Sequence, residues 1–587
     1  MRVTTFSSNK QLWGKLTKRR RFQFILLTCI MILGSFLEII SIGIVIPFLG
    51  ILVAPEKFFQ NETLQPLFQL FGFSNPSELL LPITLAFCLT ALFSNSMRLI
   101  LVWLSTRISL AAGADLSVGI YRRILYQPYS FHCSRNSSEI ISATSNKTNE
   151  VVYAIIIPTL AIINSIIIMI TIIGALILID ALVAFILLGF LVFIYSIIIF
   201  IKRKQLMRES VVIAFETTNL LKALQEGLGG IRDVIIDGSQ EIYTKIYQKS
   251  DFALRRAQGN NMIIAGSPRF LLEAMGMVAI AIFAYILVQG PGGILTAIPI
   301  LGAVAIGAQR LLPMIQQAYA SWVVVKGHQS SLQDTLELLE KTLPDYADKP
   351  SAVTLLFNHN IAIKQMFFRY TQDTPDILKR VNLNIKKGSC VGFIGSTGSG
   401  KSTLIDIIMG LLEPSNGTIE VDGIALNIEN NRGWQVHIAH VPQHIFLSDA
   451  SVEENIAFGV EKKNIDFERV QLAAHKAQIA TTIESWPKRY QTYVGERGVK
   501  LSGGQQQRIG IARALYKNAD VIIFDEATSA LDDTTENAVM ESINNLSKDI
   551  TVLIIAHRLT TLKNCTNIVK LDNGNLEEIG SYKDIER

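Results

Sequence analysis

Cysteine is scarce in this chain. There are five in 587 residues, an odd number, at positions 29, 88, 133, 390 and 565 and with no C-x-x-C pair. That spacing argues against a disulfide framework and offers no zinc-type ligand set. Charge is scarce as well: Asp, Glu, Lys and Arg make up 18% of the chain while apolar residues make up 49%. Mean hydropathy is +0.35, so part of the chain is expected to be dissolved in lipid. Length alone would suggest about three or four soluble domains, and the hydropathy overrides that reading. The net charge of +5 is small for the size and gives no case for nucleic acid as a partner.

What is present divides at the middle. A basic segment, Lys15 to Arg21, precedes an apolar run from Phe22 to about Ala54. The run is too long for a signal peptide and has no small-residue cleavage site, so it reads as a first transmembrane helix. Further apolar blocks lie at about 79–110, 151–179, 181–201, 262–289 and 293–325. The third and fourth are nearly continuous, with a tight hairpin expected at Asp180. Each block is long enough for a hydrocarbon layer of about 30 Å. The expectation is an α-helical transmembrane bundle of six spans.

Basic residues orient it. The N-terminal cluster, Arg122-Arg123 with Lys147, and Lys202-Arg203-Lys204 with Arg208 fall on one side under a six-span count. On the other side 55–78 holds only Lys57, and the turns near Asp180 and Gly290–Gly293 hold no basic residue. By the positive-inside rule both termini are cytosolic, in a multi-pass protein of the cytoplasmic (inner) membrane. The connections 111–150 and 202–261 keep a roughly helical apolar period. They read as helices continuing into the cytosol, with tips near Pro128–Ser138 and Glu216–Arg232.

Charges inside spans are functional hypotheses by default. Glu38, Arg98, Arg269, Glu273 and Arg310 qualify. Arg269 and Glu273 are four apart and can neutralise each other on one helix face. Arg98 and Arg310 have no same-helix partner. Arg98, Arg310, Glu38 and Arg269 are therefore the substrate candidates, with mutual neutralisation as the competing reading.

Beyond Val325 the chain turns polar, and 326–355 reads as an exit helix and linker. From Ile361 strand-like and helical runs alternate, as in an α/β domain. Gly395-Ser396-Thr397-Gly398-Ser399-Gly400-Lys401-Ser402 fits the phosphate-loop pattern G-x-x-x-x-G-K-[ST]. It stands between an apolar run, Cys390–Ile394, and a helical run that begins at Thr403. Its backbone N–H groups and the helix dipole would face phosphates, Lys401 would reach the β/γ-phosphates, and Ser402 would ligand Mg²⁺. Val521–Phe524 is a buried-strand run ending in Asp525 and Glu526. Asp525 is expected to hold Mg²⁺ through water, and Glu526 to act as general base.

Gln443, after Val441-Pro442, can touch the metal or the attacking water. His557, after a strand at 552–556, can reach the γ-phosphate. Tyr370, 25 residues before the loop, can stack on adenine. Leu501 is followed by Ser502-Gly503-Gly504-Gln505, which open an amphipathic helix and make a second anion site. His437, His440 and His444 straddle a strand and turn and cannot share one helical face, so a metal site there is set aside.

Taken together these motifs resemble the nucleotide-binding domain of ABC transporters, and the whole chain resembles an ABC exporter half-transporter. LSGGQ is that family's signature, Thr528-Ser529-Ala530-Leu531-Asp532 matches its D-loop, and Val494–Gly498 matches the exporter-type loop facing the membrane domain. The resemblance implies a transmembrane domain at 1–325, a linker at 326–355 and a P-loop ATPase domain at 356–587. It implies ATP and Mg²⁺ as cofactors, and a homodimer in which each signature closes over the partner's ATP; a heterodimer with another half-transporter is the alternative.

The membrane half resembles flippases of lipid-linked oligosaccharides from bacterial protein N-glycosylation. The likeness rests on Ser35–Glu38 running to Ile46-Pro47-Phe48, on Pro268-Arg269 with Glu273 and Gly276, and on Arg310–Pro313. The amphipathic stretch Pro55–Ser74 resembles that flippase's short external helix. The implied cargo is a lipid-linked oligosaccharide or glycolipid; the alternative is another lipid, a drug or a peptide.

Overall fold

The computed structural model describes residues 5–44, 48, 79–179, 181–289, 293–348, 354–527, 531–544, 549–556 and 558–585. The expectations placed on Pro55–Ser74, Asp180, Thr528–Ala530 and His557 lie outside the described residues, as does the side chain of Arg310. The chain forms two compact units. One takes in Met1–Gln127 and Arg135–Thr342, the other Pro128–Ser134 and Leu343–Arg587.

The first unit is helical. A short helix, α1 (Thr5–Lys15), leads into α2 (Lys18–Gly43) and then α3 (Leu80–Leu125). After α4 (Tyr129–Ser134), which belongs to the second unit, come α5 (Ser137–Ser142), two π-helical turns at Ala143–Lys147 and Val151–Ile156, and α6 (Ile157–Ile179). The long α7 (Ala181–Gly229) is followed by α8 (Ile231–Ile236), α9 (Gln240–Gln289), α10 (Gly293–Gly327) and α11 (Gln329–Glu340).

Among the described residues three helices are long and apolar enough to cross a membrane: Lys18–Ser41, Leu80–Leu125 and Ser137–Gly174. The other three expected blocks fall within α7, α9 and α10. At 46, 49 and 50 residues, α3, α7 and α9 would measure about 69, 74 and 75 Å at 1.5 Å per residue. A hydrocarbon layer of about 30 Å covers less than half of that, so the polar remainder continues beyond it. The second tip begins at Gly230, at the end of the Glu216–Arg232 range expected from sequence, and runs on to Ser239, because the helical period continues unbroken to Gly229.

Packing in this unit uses close backbone approach. A side chain at Gly113 of α3 would overlap Val152 in the second π turn, which is how small residues let apolar helices meet without polar contacts. Large apolar side chains face outward: Phe200 is 86% exposed and Leu99 72%, as suits a surface solvated by lipid. The stretch expected to be linker begins as α11, which buries Leu332, Leu336, Leu338 and Leu339 within the same unit. It is the exit helix expected within 326–355, and its apolar residues at helical spacing give it a face to bury.

The second unit contains two sheets. β1 (Asn360–Phe368), β2 (Leu378–Lys386), β4 (Asn416–Val421) and β5 (Ile424–Ala425) form an antiparallel sheet in the order β2-β1-β4-β5. The other sheet runs β10-β9-β3-β8-β7-β6. It joins β3 (Cys390–Gly395), β6 (Ile438–Val441), β7 (Val521–Asp525), β8 (Thr551–Ile555), β9 (Asn567–Asp572) and β10 (Asn575–Gly580). Its pairs are parallel except β9–β10. Continuous apolar runs such as Thr551–Ile555, buried throughout, are what a parallel strand covered on both faces requires. The architecture is therefore a helical transmembrane domain followed by an α/β domain.

Candidate nucleotide-binding site

Strand β3 and helix α12 (Lys401–Ile408) hold the glycine-rich loop between them. Gly395 and Gly400 have φ of +149° and +102°. A Cβ at Gly395 would overlap the Leu571 carbonyl oxygen, and one at Gly400 would stand 2.8 Å from Leu378 Cδ2. Only glycine fits both the backbone turn and the space. Helix α12 then starts without a side-chain cap, so its first N–H groups and the positive end of its dipole are open to an anion. Lys401 is buried, and its Nζ donates to the carbonyls of Gly395 and Ser396, both at 2.9 Å. Ser399 Oγ is buried without a hydrogen-bond partner among the described residues, while Ser402 is exposed beside it. A cradle that excludes side chains and leaves donors unsatisfied fits a polyphosphate.

Tyr370 is 51% exposed. Phe368 props its ring edge-on, with centroids 5.1 Å apart, and its hydroxyl lies 3.3 Å from Thr403 Oγ1 on α12. An open aromatic face thus stands beside the loop.

The two acids lie where β7 ends. β6 and β7 are adjacent and parallel, so Gln443 and Glu526 emerge from the carboxyl ends of neighbouring strands, the usual ligand edge of such a sheet. They meet there: Gln443 Nε2 donates to Glu526 Oε2 at 2.6 Å. Glu526 has φ +49° and its N–H donates to Ile555 O at 3.1 Å. A left-handed conformation at a non-glycine residue costs about 1–3 kcal/mol and is held only by surrounding structure. Asp525 closes β7. Across from it on α12, Asp406 has its carboxyl pushed up to about 6 by burial and by the charge of Asp525. Sequence reasoning missed Asp406, although a lone carboxyl inside Leu404-Ile405-Asp406-Ile407-Ile408 was a legible oddity. The hydroxyl, amide and carboxylate of Ser402, Gln443 and Asp525 are oxygen donors of the kind a hard cation such as Mg²⁺ takes.

The signature forms the start of α13 (Gly503–Lys517). Ser502 Oγ accepts from Gln505 N–H at 3.3 Å and Gln505 Oε1 accepts from Ser502 N–H at 3.0 Å, a reciprocal cap. Ser502 and Gly503 remain exposed and Gly504 is half-buried. Helix α13 packs on β6, at the opposite end of the sheet order from β9 and β10. Asp532, the last residue of the expected D-loop, accepts from Thr535 N–H at 3.0 Å and Thr535 Oγ1 at 2.8 Å, and also from Thr534. Those bonds hold its carboxyl well below the usual carboxylate range.

The three histidines do different things. His437 bonds Asp520 through Nδ1 and the Leu355 carbonyl through Nε2, the latter at 2.6 Å. His440 sits in β6 with Nε2 unpartnered, and burial pushes its pKa down to about 4. His444 is exposed.

In the membrane unit the structure supplies a partner that helical spacing could not. Arg98 on α3 forms an ion pair with the buried Glu38 on α2, sixty positions away. Arg269 Nε pairs with Glu273 Oε1 at 2.7 Å on one face of α9.

Comparison with known proteins agrees with this division. Residues 378–529 match the family described as ABC transporter, and residues 23–295 match the ABC transporter transmembrane region. The ATP-dependent lipid A-core flippase of Saccharophagus degradans is 41% identical over 223 residues, 38% of this chain and 38% of that protein. The alpha-hemolysin translocation ATP-binding protein HlyB of Escherichia coli is 40% identical over 228 residues, 39% of this chain and 32% of its own length. The chain thus spans well under half the length of these relatives. A solved structure of a bacterial Atm1-family ABC exporter with ATP bound superimposes over 96% of both chains, with a TM-score of 0.79 at 23% identity. The chain joins an ABC transporter transmembrane region to an ABC transporter ATP-binding region, the domain composition of an ABC exporter half-transporter.

Proposed function

We propose that the chain is half of an ATP-driven exporter of the cytoplasmic membrane, working as a homodimer, which flips an amphipathic lipid with an anionic head. A lipid-linked oligosaccharide or related glycolipid is the cargo this reading favours. Residues 1–325 form the membrane domain, 326–355 the connection and 356–587 the motor, with both termini cytosolic. The observation that carries the ATPase reading is the meeting of Gln443 and Glu526 at 2.6 Å on the strand edge that also bears an uncapped, glycine-cradled helix start.

ATP binding draws Lys401 off the carbonyls of Gly395 and Ser396 and onto the β/γ-phosphates. The N–H groups of Ser396 to Thr403 surround the phosphate oxygens, with Ser399 Oγ as a further donor, and Tyr370 stacks on the adenine. Ser402, Gln443 and Asp525 would hold Mg²⁺, which when bound would neutralise phosphate charge. Glu526 takes the proton of the attacking water, and Gln443 keeps that carboxylate oriented until water is in place. His557 bonds the γ-phosphate.

The second half of the site comes from another copy. In the sheet order, β6, on which α13 packs, stands three strand steps from β3, about 14 Å at 4.7–4.9 Å per step. Ser502, Gly503, Gly504 and Gln505 of a second copy would therefore close over the γ-phosphate. Closure of the two motors turns the membrane cavity outward, and hydrolysis releases it.

The relative named as a lipid A-core flippase supports a lipid cargo, and arginines within the spans suit a pyrophosphate head. With Arg98 paired to Glu38, Arg310 becomes the first arginine to test. In proteoliposomes a polyprenyl-pyrophosphate-linked oligosaccharide should stimulate ATP hydrolysis and be flipped, while drugs and peptides should not stimulate it. Stimulation by drugs or peptides alone would replace the cargo assignment.

A further inference from the structure

Away from the motor, an apolar cavity of about 360 Å³ lies between α1, α2 and the start of α6. Leu12, Trp13 and Leu16 form one wall, Phe24 and Thr28 the second, and Ile155 to Ile163 the third. Its volume falls in the range of small-molecule sites, roughly 300–1,000 Å³. Left empty, the lining would forfeit its dispersion contacts on one side. Asn9 and Thr159 are among its lining residues; their Oδ1 and Oγ1 atoms are buried in the wall and have no hydrogen-bond partner among the described residues. Thr28 in the same lining follows the usual helical habit and donates to Phe24 O at 2.9 Å; Thr159 does not. The third wall is also where the Val151–Ile156 π turn ends and Pro158 follows, an irregularity of the kind found at functional sites.

Charge collects in the residues flanking α1. Arg20 is committed to Asp115 at 2.8 Å, and Arg21 bonds the carbonyls of Gly14 and Leu16. Lys15, Lys18 and Arg19 are exposed and have no carboxylate partner among the described residues. All three lie within three positions of Leu16 in sequence, at or just before the start of Lys18–Ser41, a helix long and apolar enough to span.

From the cavity and these cations we infer that it holds one acyl chain of an anionic phospholipid from the surrounding leaflet. The chain fills the apolar slot, and the phosphate lies against Lys15, Lys18 and Arg19. An apolar slot with uncommitted cations close by in sequence matches the tail and head of one lipid. This site holds a resident lipid rather than cargo; it depends on the membrane reading of α2 but not on which substrate is moved.

The test uses the full chain in vesicles containing phosphatidylglycerol or phosphatidylcholine with the same photoreactive group on one acyl chain. Label from phosphatidylglycerol should map to peptides covering 9–28 and 155–163 and should exceed that from phosphatidylcholine. Thr159→Phe, which fills the slot, should abolish the label, and Leu12→Trp should do so from the opposite wall. Basal ATP hydrolysis, retained in both variants, reports that they are folded. The double change Lys18→Gln with Arg19→Gln should cut the preference for phosphatidylglycerol by roughly ten- to thirty-fold, taking about 1 kcal/mol per surface cation. Label that persists in both filled variants, maps elsewhere, or does not distinguish the two lipids overturns the assignment. None of these readouts depends on transport, so failure here leaves the cargo assignment standing, and the reverse.

Discussion

The two units leave polar groups unsatisfied in opposite circumstances. In the nucleotide unit the open groups are backbone donors: α12 begins without a cap beside a buried Ser399 hydroxyl that has no partner. In the membrane unit charges are neutralised between helices, as Glu38 is by Arg98 and Arg20 by Asp115. A fuel site that must bind and release in water can keep donors waiting, because water serves them meanwhile. A charge within a lipid-facing bundle has no such substitute and must find a partner in the protein. The same contrast inverts the meaning of exposure. Phe200 at 86% suits a solvent of hydrocarbon, whereas Tyr370 at 51% is an open aromatic face beside the phosphate loop.

The comparison breaks first at Glu526, the proposed general base. Glu526→Gln should lower ATP turnover by roughly 10²–10⁴-fold while trapping ATP in a closed dimer, measured by hydrolysis and by nucleotide retained on the isolated dimer. Near-normal turnover would remove Glu526 as base. Gly395→Ala should come next, because its Cβ overlaps the Leu571 carbonyl. ATP affinity measured by calorimetry should fall at least about tenfold, with the membrane unit unaffected.

Smaller effects test the membrane half. Glu38→Gln strands Arg98, and thermal unfolding in detergent should show a loss of about 1–3 kcal/mol. The double change with Arg98→Gln should recover much of it and leave basal hydrolysis alone. If Arg98→Gln by itself costs no stability yet removes stimulation by lipid-linked sugar, the pair is a substrate site after all.

The smallest expected effect is on pH. His440 is held neutral in the fold, with its pKa lowered from 6.5 to about 4. As pH falls through that window the unfolded chain takes up a proton that the folded one refuses, so stability is present above 6.5 and lost toward 4. The loss should be on the order of 1–3 kcal/mol, and His440→Leu should flatten it. Asp406 works in the other direction: its carboxyl is raised from 3.8 to about 6, so the fold gains stability as pH falls through that range. Asp406→Asn should therefore steepen the acid loss in the same unfolding experiment.

Much of the motor was legible because its chemistry is contiguous. The loop Gly395–Ser402 needs glycines and a lysine at fixed offsets, and the pair Asp525-Glu526 needs only the end of one buried strand. The alternation of apolar blocks likewise announced long helices, and the structure shows them running well past the bilayer thickness. Other features were not legible. The second tip was expected near Glu216–Arg232; the turn begins at the end of that range, at Gly230, and runs on to Ser239, because a polar helix is still a helix. The exit helix expected within 326–355 is α11, but that it buries four leucines within the membrane unit was decided by packing.

From its sequence alone this chain was committed to lipid in one half and to a phosphate-binding α/β domain in the other. Both are set by properties local to a run of residues: transfer free energy summed over about twenty positions, and backbone freedom at a few glycines. Tertiary structure alone brought Gln443 to Glu526, Arg98 to Glu38, and α1 over α2 and α6 around an apolar cavity. Those meetings join positions far apart in the chain. They depend on strand order and helix contact, which no local pattern records.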